Sequence, residues 1–240
     1  MNPSIEAADP RVEIQTRLGS APSYNQWIAR QARPYLGQRV LDAGCGSGNI
    51  TRLILDRELV VAVDVWPAFG EMVTRSFAEA ANLRFHQFDL ADDAMVDALR
   101  GYRLDSAICV NVLEHVEEDR KALENLMALL PLGGRLFLLV PAFSVLYGRM
   151  DEVDHHFRRY TKGTLRETVA GLPLSVERMH YMNFPGFFSW FVYGRILRRA
   201  FVSEGLYSTY DKLVRVLERV ESRVPPPIGQ SLVAVLRKRS

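Results

Sequence analysis

Apolar positions cluster differently in the two parts of this 240-residue chain. From 39 to 140, short and nearly unbroken apolar runs alternate with stretches of helical spacing. Segments 39–43, 59–64, 83–88, 104–110 and 135–140 read as strands, too short for helices and too apolar to leave one face wet. Between them, 49–56, 65–81, 91–99 and 117–130 read as helices. In the last of these, Leu123, Leu126, Met127 and Leu130 share one face, and Leu-Pro-Leu-Gly-Gly at 130–134 stops it. Upstream, 24–35 puts Trp27, Ile28 and Ala32 on one face of a short helix, and 1–19 reads as an adaptable arm. This alternation predicts a parallel sheet covered on both sides.

Past Pro141 the pattern loosens. Segment 144–160 is polar and aromatic without a period, and 161–170 is helical with Thr161 or Gly163 at its cap. Then come a strand over 174–181, an aromatic and basic stretch at 184–201, a helix over 207–220, three prolines at 225–227 and a last strand at 231–237. No linker is long enough to separate two domains.

Composition narrows the classes. The length suits one full doubly wound sheet. A net charge of +2 is too small to argue for nucleic acid, and none is expected as a partner. Only Cys45 and Cys109 occur, one in a turn and one in a strand, so a disulfide framework is excluded and a reducing cytoplasm fits. No apolar run reaches the length of a membrane span, and 1–10 lacks the apolar core of a signal peptide.

The chemistry concentrates at 40–49, Val-Leu-Asp-Ala-Gly-Cys-Gly-Ser-Gly-Asn. Gly44, Gly46 and Gly48 allow positive φ and let a ligand approach the backbone, and a helix over 49–56 would aim its first N–H groups at that ligand. A dinucleotide fingerprint needs a third small residue where Asn49 stands. Asp42, two residues before Gly44, suits an ammonium and would repel a phosphate. Asp64 closes the second strand, where a ribose diol is held, and Asp89 closes the third, where an adenine amine can be bound. Val65 and Trp66 offer apolar surface to the ring. Each acid also has a plainer use as a helix cap or turn brace. Together they describe an adenosine that carries an amino acid in place of phosphates.

On these residues the chain resembles the class I S-adenosylmethionine-dependent methyltransferases over about 20–141. Residues 40–49 match the family's first motif, 61–64 its second, Phe88-Asp89-Leu90 its adenine motif, and 109–116 its fourth-strand motif. Residues 130–140 resemble the loop and strand that follow. The resemblance implies an α/β fold: a seven-stranded, doubly wound, mostly parallel sheet with an antiparallel last strand and a helical insert before it. It implies one domain, with a cofactor-binding core at 20–143, acceptor-side insertions at 144–229 and the last strand at 230–238. S-adenosyl-L-methionine is the implied cofactor and S-adenosyl-L-homocysteine its product. Asn111 and Val112 would line the methionine side through backbone groups, and Tyr24 would reach its carboxylate. Leu90 belongs to the adenine motif, while His115 is implied to be structural or cofactor-adjacent and not a base.

The expected reaction is methylation of oxygen or nitrogen on a small-molecule or lipid- or sugar-linked acceptor. Segment 151–160 resembles an Asp-x-x-x-Gly-His-x-Arg-Arg-Tyr stretch of some bacterial methyltransferases, with His155 in place of the glycine. His156 is a candidate base, and Arg158 or Arg159 a candidate holder of an acidic acceptor. The alternative is that Asp151, His156 and the arginines brace a long loop. No metal site is expected, because adjacent His155 and His156 point apart. Stretch 184–201 reads as a core or lid helix, with an acceptor-pocket wall, a homodimer interface or a peripheral membrane contact as its other uses. The rival functions are an NAD-dependent oxidoreductase and a catalytically idle cofactor-binding subunit.

Overall fold

The computed structural model describes residues 22–198 and 204–239; the arm at 1–19 lies outside them, as do 199–201 of the aromatic stretch. Seven strands form one sheet: β1 (Arg39–Ala43), β2 (Leu59–Asp64), β3 (Leu83–Gln87), β4 (Ser106–Val110), β5 (Arg135–Pro141), β6 (Leu174–Met182) and β7 (Ser231–Lys238). Their order is β3-β2-β1-β4-β5-β7-β6. The first five pair in parallel, and β7 runs antiparallel to both β5 and β6. The chain reaches β7 through the helices Phe184–Trp190 and Glu204–Glu221, the helical insert read from sequence.

Residues of the inner strands alternate between two cores, which is why β2, β4, β5 and β7 are largely apolar on both faces, whereas the edge strands β3 and β6 carry polar residues. Leu41, Val61, Ala107 and Leu136 meet the helices Asp93–Leu99, Asp119–Ala128 and Lys162–Thr168 on one side. Val40, Val60, Ile108 and Phe137 meet Trp27 and Ile28 of the helix Pro22–Ala32, and Val214 of the long helix, on the other. The strand order reverses between β1 and β4, so the carboxyl ends of these two strands open a crevice at the sheet's switch point.

Two expected helices come out differently. Segment 49–56 forms only a 3-10 turn at Thr51–Leu53, so no α-helix N-terminus faces the glycine turn. Leu53 and Ile54 donate to Ile50 and Thr51, and the Thr51 hydroxyl is tied down to Asp42 Oδ2 at 2.6 Å. β-Branched Ile50 and Thr51 favour this tightening. The helix after β2 stops at Ser76, where Phe77 turns in beneath Gly48; a Cβ on that glycine would lie 2.5 Å from the ring. In the unperiodic segment 144–160 a short helix forms at Arg149–Val153.

The helix Phe184–Trp190 continues as a π turn over Phe191–Ile196. Phe187 packs edge-on against Phe143, whereas Phe188, Val192 and Ile196 stay exposed. Among the described residues no helix is long and apolar enough to cross a membrane.

Candidate active site

Asp64 organises the glycine turn. Its Oδ2 accepts from the Gly46 N–H at 2.9 Å and its Oδ1 from Trp66 at 3.0 Å. Each oxygen keeps a second lone pair for another donor. Burial raises its pKa above the ordinary carboxylate value. The Gly44 and Cys45 N–H groups both donate to Val63 O, which folds the turn back over β2. Gly44 sits at φ +74°, and a Cβ there would lie 2.2 Å from a Val112 methyl. Glycine at this position therefore serves both the backbone conformation and the close approach of Val112.

Asp42 is almost fully buried, and loss of solvent lifts its pKa to about 6 despite the Thr51 hydrogen bond. It lines a small pocket of about 40 Å³ with Tyr24, Asn25, Gly44, Asn49 and Asn111. A larger cleft of about 750 Å³ opens beside it, lined by Gly44, Asp64, Val65, Trp66, Asp89, Leu90, Asn111 and Val112 on one side. Gly44 and Asn111 belong to both, so the two spaces meet at the ends of β1 and β4. Asn111 holds φ +51° there, with its N–H donated to Leu139 O. Tyr24 is half-buried, and its hydroxyl lies 3.3 Å from Ser231 Oγ. Asp89 is exposed at the rim and accepts from the Ala91 N–H at 2.8 Å; the cap of the next helix is Asp92. Leu90 turns its side chain into the core, and Asn125 donates to its carbonyl at 3.1 Å. All the cofactor residues read from sequence except Gly46 and Gly48 thus line one or other space.

The other wall of the cleft carries His115, Val116, Glu117, Glu118, Asp154, His155 and Phe157. His156 and Arg159 do not line it. Both turn inward onto Asp151, which is fully buried. Asp151 Oδ1 lies 2.7 Å from His156 Nδ1 and 2.7 Å from Arg159 Nε, and its Oδ2 accepts from the Gly148 N–H. Arg159 also donates to Ala142 O and packs over Trp190. Asp154 Oδ2 meets His156 Nε2 at 3.2 Å. Burial pushes the imidazole pKa down, but the two carboxylates outweigh it and hold His156 up to about 9. Asp151 is likewise raised by burial yet ends below its usual range because His156 and Arg159 hydrogen-bond to it. Tyr160 donates to Asp119 Oδ2 at 2.8 Å, and Arg158 pairs with the same oxygen.

Glu114 was not singled out by the sequence reading. It is fully buried beside this cluster, and neither carboxylate oxygen has a hydrogen-bond partner among the described residues. Its pKa rises to about 7, with burial as the main cause. Its only sequence signal is its place in Leu-Glu-His, straight after β4.

His155 occupies φ +56°. The backbone thus keeps the glycine-like conformation of the resembled segment although the residue is histidine.

The methyltransferase domain family matches residues 41–136. Thiol S-methyltransferase TMT1B of Rattus norvegicus is 32% identical over 98 residues, which is 41% of this chain and 40% of that protein. The ubiquinone biosynthesis O-methyltransferase of Coxiella burnetii is 29% identical over 102 residues, 42% of each chain. The chain therefore spans about 40% of the length of these curated relatives. A SAM-dependent methyltransferase from Archaeoglobus fulgidus shares the fold with a TM-score of 0.55 at 17% identity, covering 89% of this chain and 94% of that one. The family match runs from β1 into β5, across the strands and turns that build the channel. It takes the glycine turn to S-adenosylmethionine and away from a dinucleotide: residues 41–136 match the methyltransferase domain family, and the chain shares the fold of a SAM-dependent methyltransferase.

Proposed function

We propose that this chain transfers a methyl group from S-adenosylmethionine to oxygen or nitrogen of a small acceptor in the large cleft. The observation that carries this reading is the junction at Gly44 and Asn111, which lets one ligand run from the small pocket into the cleft. The α-amino group would lie by Asp42, and the α-carboxylate by Tyr24 and Asn49. The ribose diol would donate to the remaining lone pairs of Asp64. Adenine would rest among Val65, Trp66 and Leu90, with its amine toward Asp89.

Held this way, the donor would supply its methyl group near the junction, beside His115, Val116, Asp154 and Phe157. The acceptor's lone pair attacks the methyl carbon and the C–S bond electrons pass to sulfur. S-adenosylhomocysteine leaves as a neutral thioether, and the acceptor's proton goes to water or to a base. Alignment and exclusion of water supply most of the rate for such a displacement.

His156 and Arg159 act here as positioning residues. Both ring nitrogens of His156 are taken by carboxylates, and Arg159 is spent on Asp151 and Ala142. This favours the brace over the base and over an acid-holding arginine. Glu117, Glu118 and Asp154 on the acceptor wall favour O–H or N–H acceptors, which can donate to carboxylates, over a thiolate, which they repel.

The test is transfer from methyl-labelled S-adenosylmethionine into a fractionated metabolite extract. Label is expected in small-molecule fractions with the native chain. No transfer, with S-adenosylhomocysteine binding intact, would mark an idle binding subunit instead.

A further inference from the structure

We propose that Glu114, His115 and His156, with Asp154, form a site for a divalent first-row transition cation beside the large cleft, which His115 and Asp154 line. One ligand atom from each of the first three lies within 4.8 Å of the others. Asp154 Oδ2 stands 3.2 Å from His156 Nε2 and 3.9 Å from His115 Nε2. Four donors around a tetrahedral zinc, each about 2.0–2.2 Å from the metal, are about 3.4 Å apart, so a small contraction closes the set. In sequence, adjacent His155 and His156 diverge and no metal is expected from them. The fold supplies a different partner: the turn after β4 brings His115 to His156, with ring centroids 4.6 Å apart.

Two independent features point to a ligand. Glu114 is fully buried with both oxygens unpartnered, an arrangement that costs free energy unless a cation or donor completes it. His156 Nδ1 is held by the buried Asp151, itself held by Arg159, and its Nε2 faces Asp154 Oδ2, the fourth member of the cluster. A carboxylate fixing the far nitrogen of an imidazole is the usual outer-shell support of a metal-binding histidine. Two imidazoles among carboxylates favour zinc, manganese or iron(II) over magnesium, which prefers oxygen alone.

His115 and Asp154 also line the cleft, so the open side of the site faces the acceptor wall. An acceptor oxygen could complete the shell there, and this last step alone rests on the methyltransferase reading.

The experiment is calorimetric titration of the chelator-stripped full chain with zinc and with manganese(II), alongside a separate titration with S-adenosylhomocysteine. One cation per chain is expected, with micromolar or tighter affinity for one of the two metals. Glu114→Gln and His115→Ala should each weaken it by at least about tenfold. Both variants should keep a cooperative melt, and Glu114→Gln, which does not line the cleft, should keep the native S-adenosylhomocysteine affinity. Cobalt(II) should give a visible ligand-field spectrum in the native chain that both variants lose. Absence of stoichiometric binding of either metal, or binding and spectrum unchanged in Glu114→Gln, would overturn the site. Neither result would touch the methyl-donor reading, which the S-adenosylhomocysteine titration tests by itself.

Discussion

The turns after β1, β2 and β4 and the segment 142–160 are built by different physics. Around β1, β2 and β4 the chemistry is local: a strand ends, an acid or a glycine follows within two residues, and the backbone N–H groups close the site. Around 142–160 it is carried by side chains that meet after long chain excursions. Asp151 gathers His156 and Arg159, Tyr160 reaches Asp119, and Phe157 N–H donates to Glu114 O. The first kind of site tolerates exposed rims, since its ligand is held by main-chain geometry. The second kind fails as a unit when one buried charge is removed.

The sharpest way to break this contrast is at Asp151. Asp151→Ala leaves buried Arg159 and His156 without their shared carboxylate. A loss of about 3–5 kcal/mol in unfolding free energy is expected, read by denaturant titration. S-adenosylhomocysteine affinity of the folded chain should change little. Asp64→Ala should do the reverse. Each charge-assisted hydrogen bond lost is worth about 1.5–3 kcal/mol, so binding should weaken by about tenfold to a hundredfold or more. Stability should fall less than in Asp151→Ala. If both variants damaged stability and binding alike, the two regions would not be separable.

The positions of the acids and glycines were readable because they sit at fixed offsets from apolar strands. Gly44, Asp42 and Asp64 follow from β1 and β2 with no knowledge of partners, Asn111 from the family resemblance, and the parallel pairing of the first five strands from the β-α alternation. The missing helix at 49–56 was not readable, because a single tertiary bond, Thr51 to Asp42, tightens that turn. Nor was Glu114 or the burial of Arg159. A Leu-Glu-His turn and an Arg-Arg pair look like surface in one dimension, and only the packing of 142–160 over β4 and β5 encloses them.

Smaller effects sharpen the comparison within each region. Asp42 has a pKa near 6 in the folded chain against 3.8 as its reference. A raised carboxylate pKa contributes stability below the unfolded value, and that contribution disappears as pH rises through the folded one. Asp42→Asn should therefore stabilise the ligand-free chain by about 1–3 kcal/mol at pH 7 and above, with the gain vanishing near pH 4. It should weaken S-adenosylhomocysteine binding at the same time. Thermal melts across pH would show both signs.

The smallest change is expected at His155. Its φ of +56° costs a non-glycine residue about 1–2 kcal/mol. His155→Gly removes that strain but makes the unfolded chain more flexible, so a net gain of up to about 1 kcal/mol is expected in denaturant titration. A clear loss would show that the imidazole itself supports the loop.

The most direct test of the channel is calorimetric titration with S-adenosylhomocysteine from pH 8 down to pH 5. One site per chain is expected, with affinity falling as pH drops through about 6, because Asp42 takes up a proton and loses its attraction for the ligand's ammonium. An absence of binding, or an affinity indifferent to pH across that window, would contradict the placement of the methyl donor between Asp42 and Asp64.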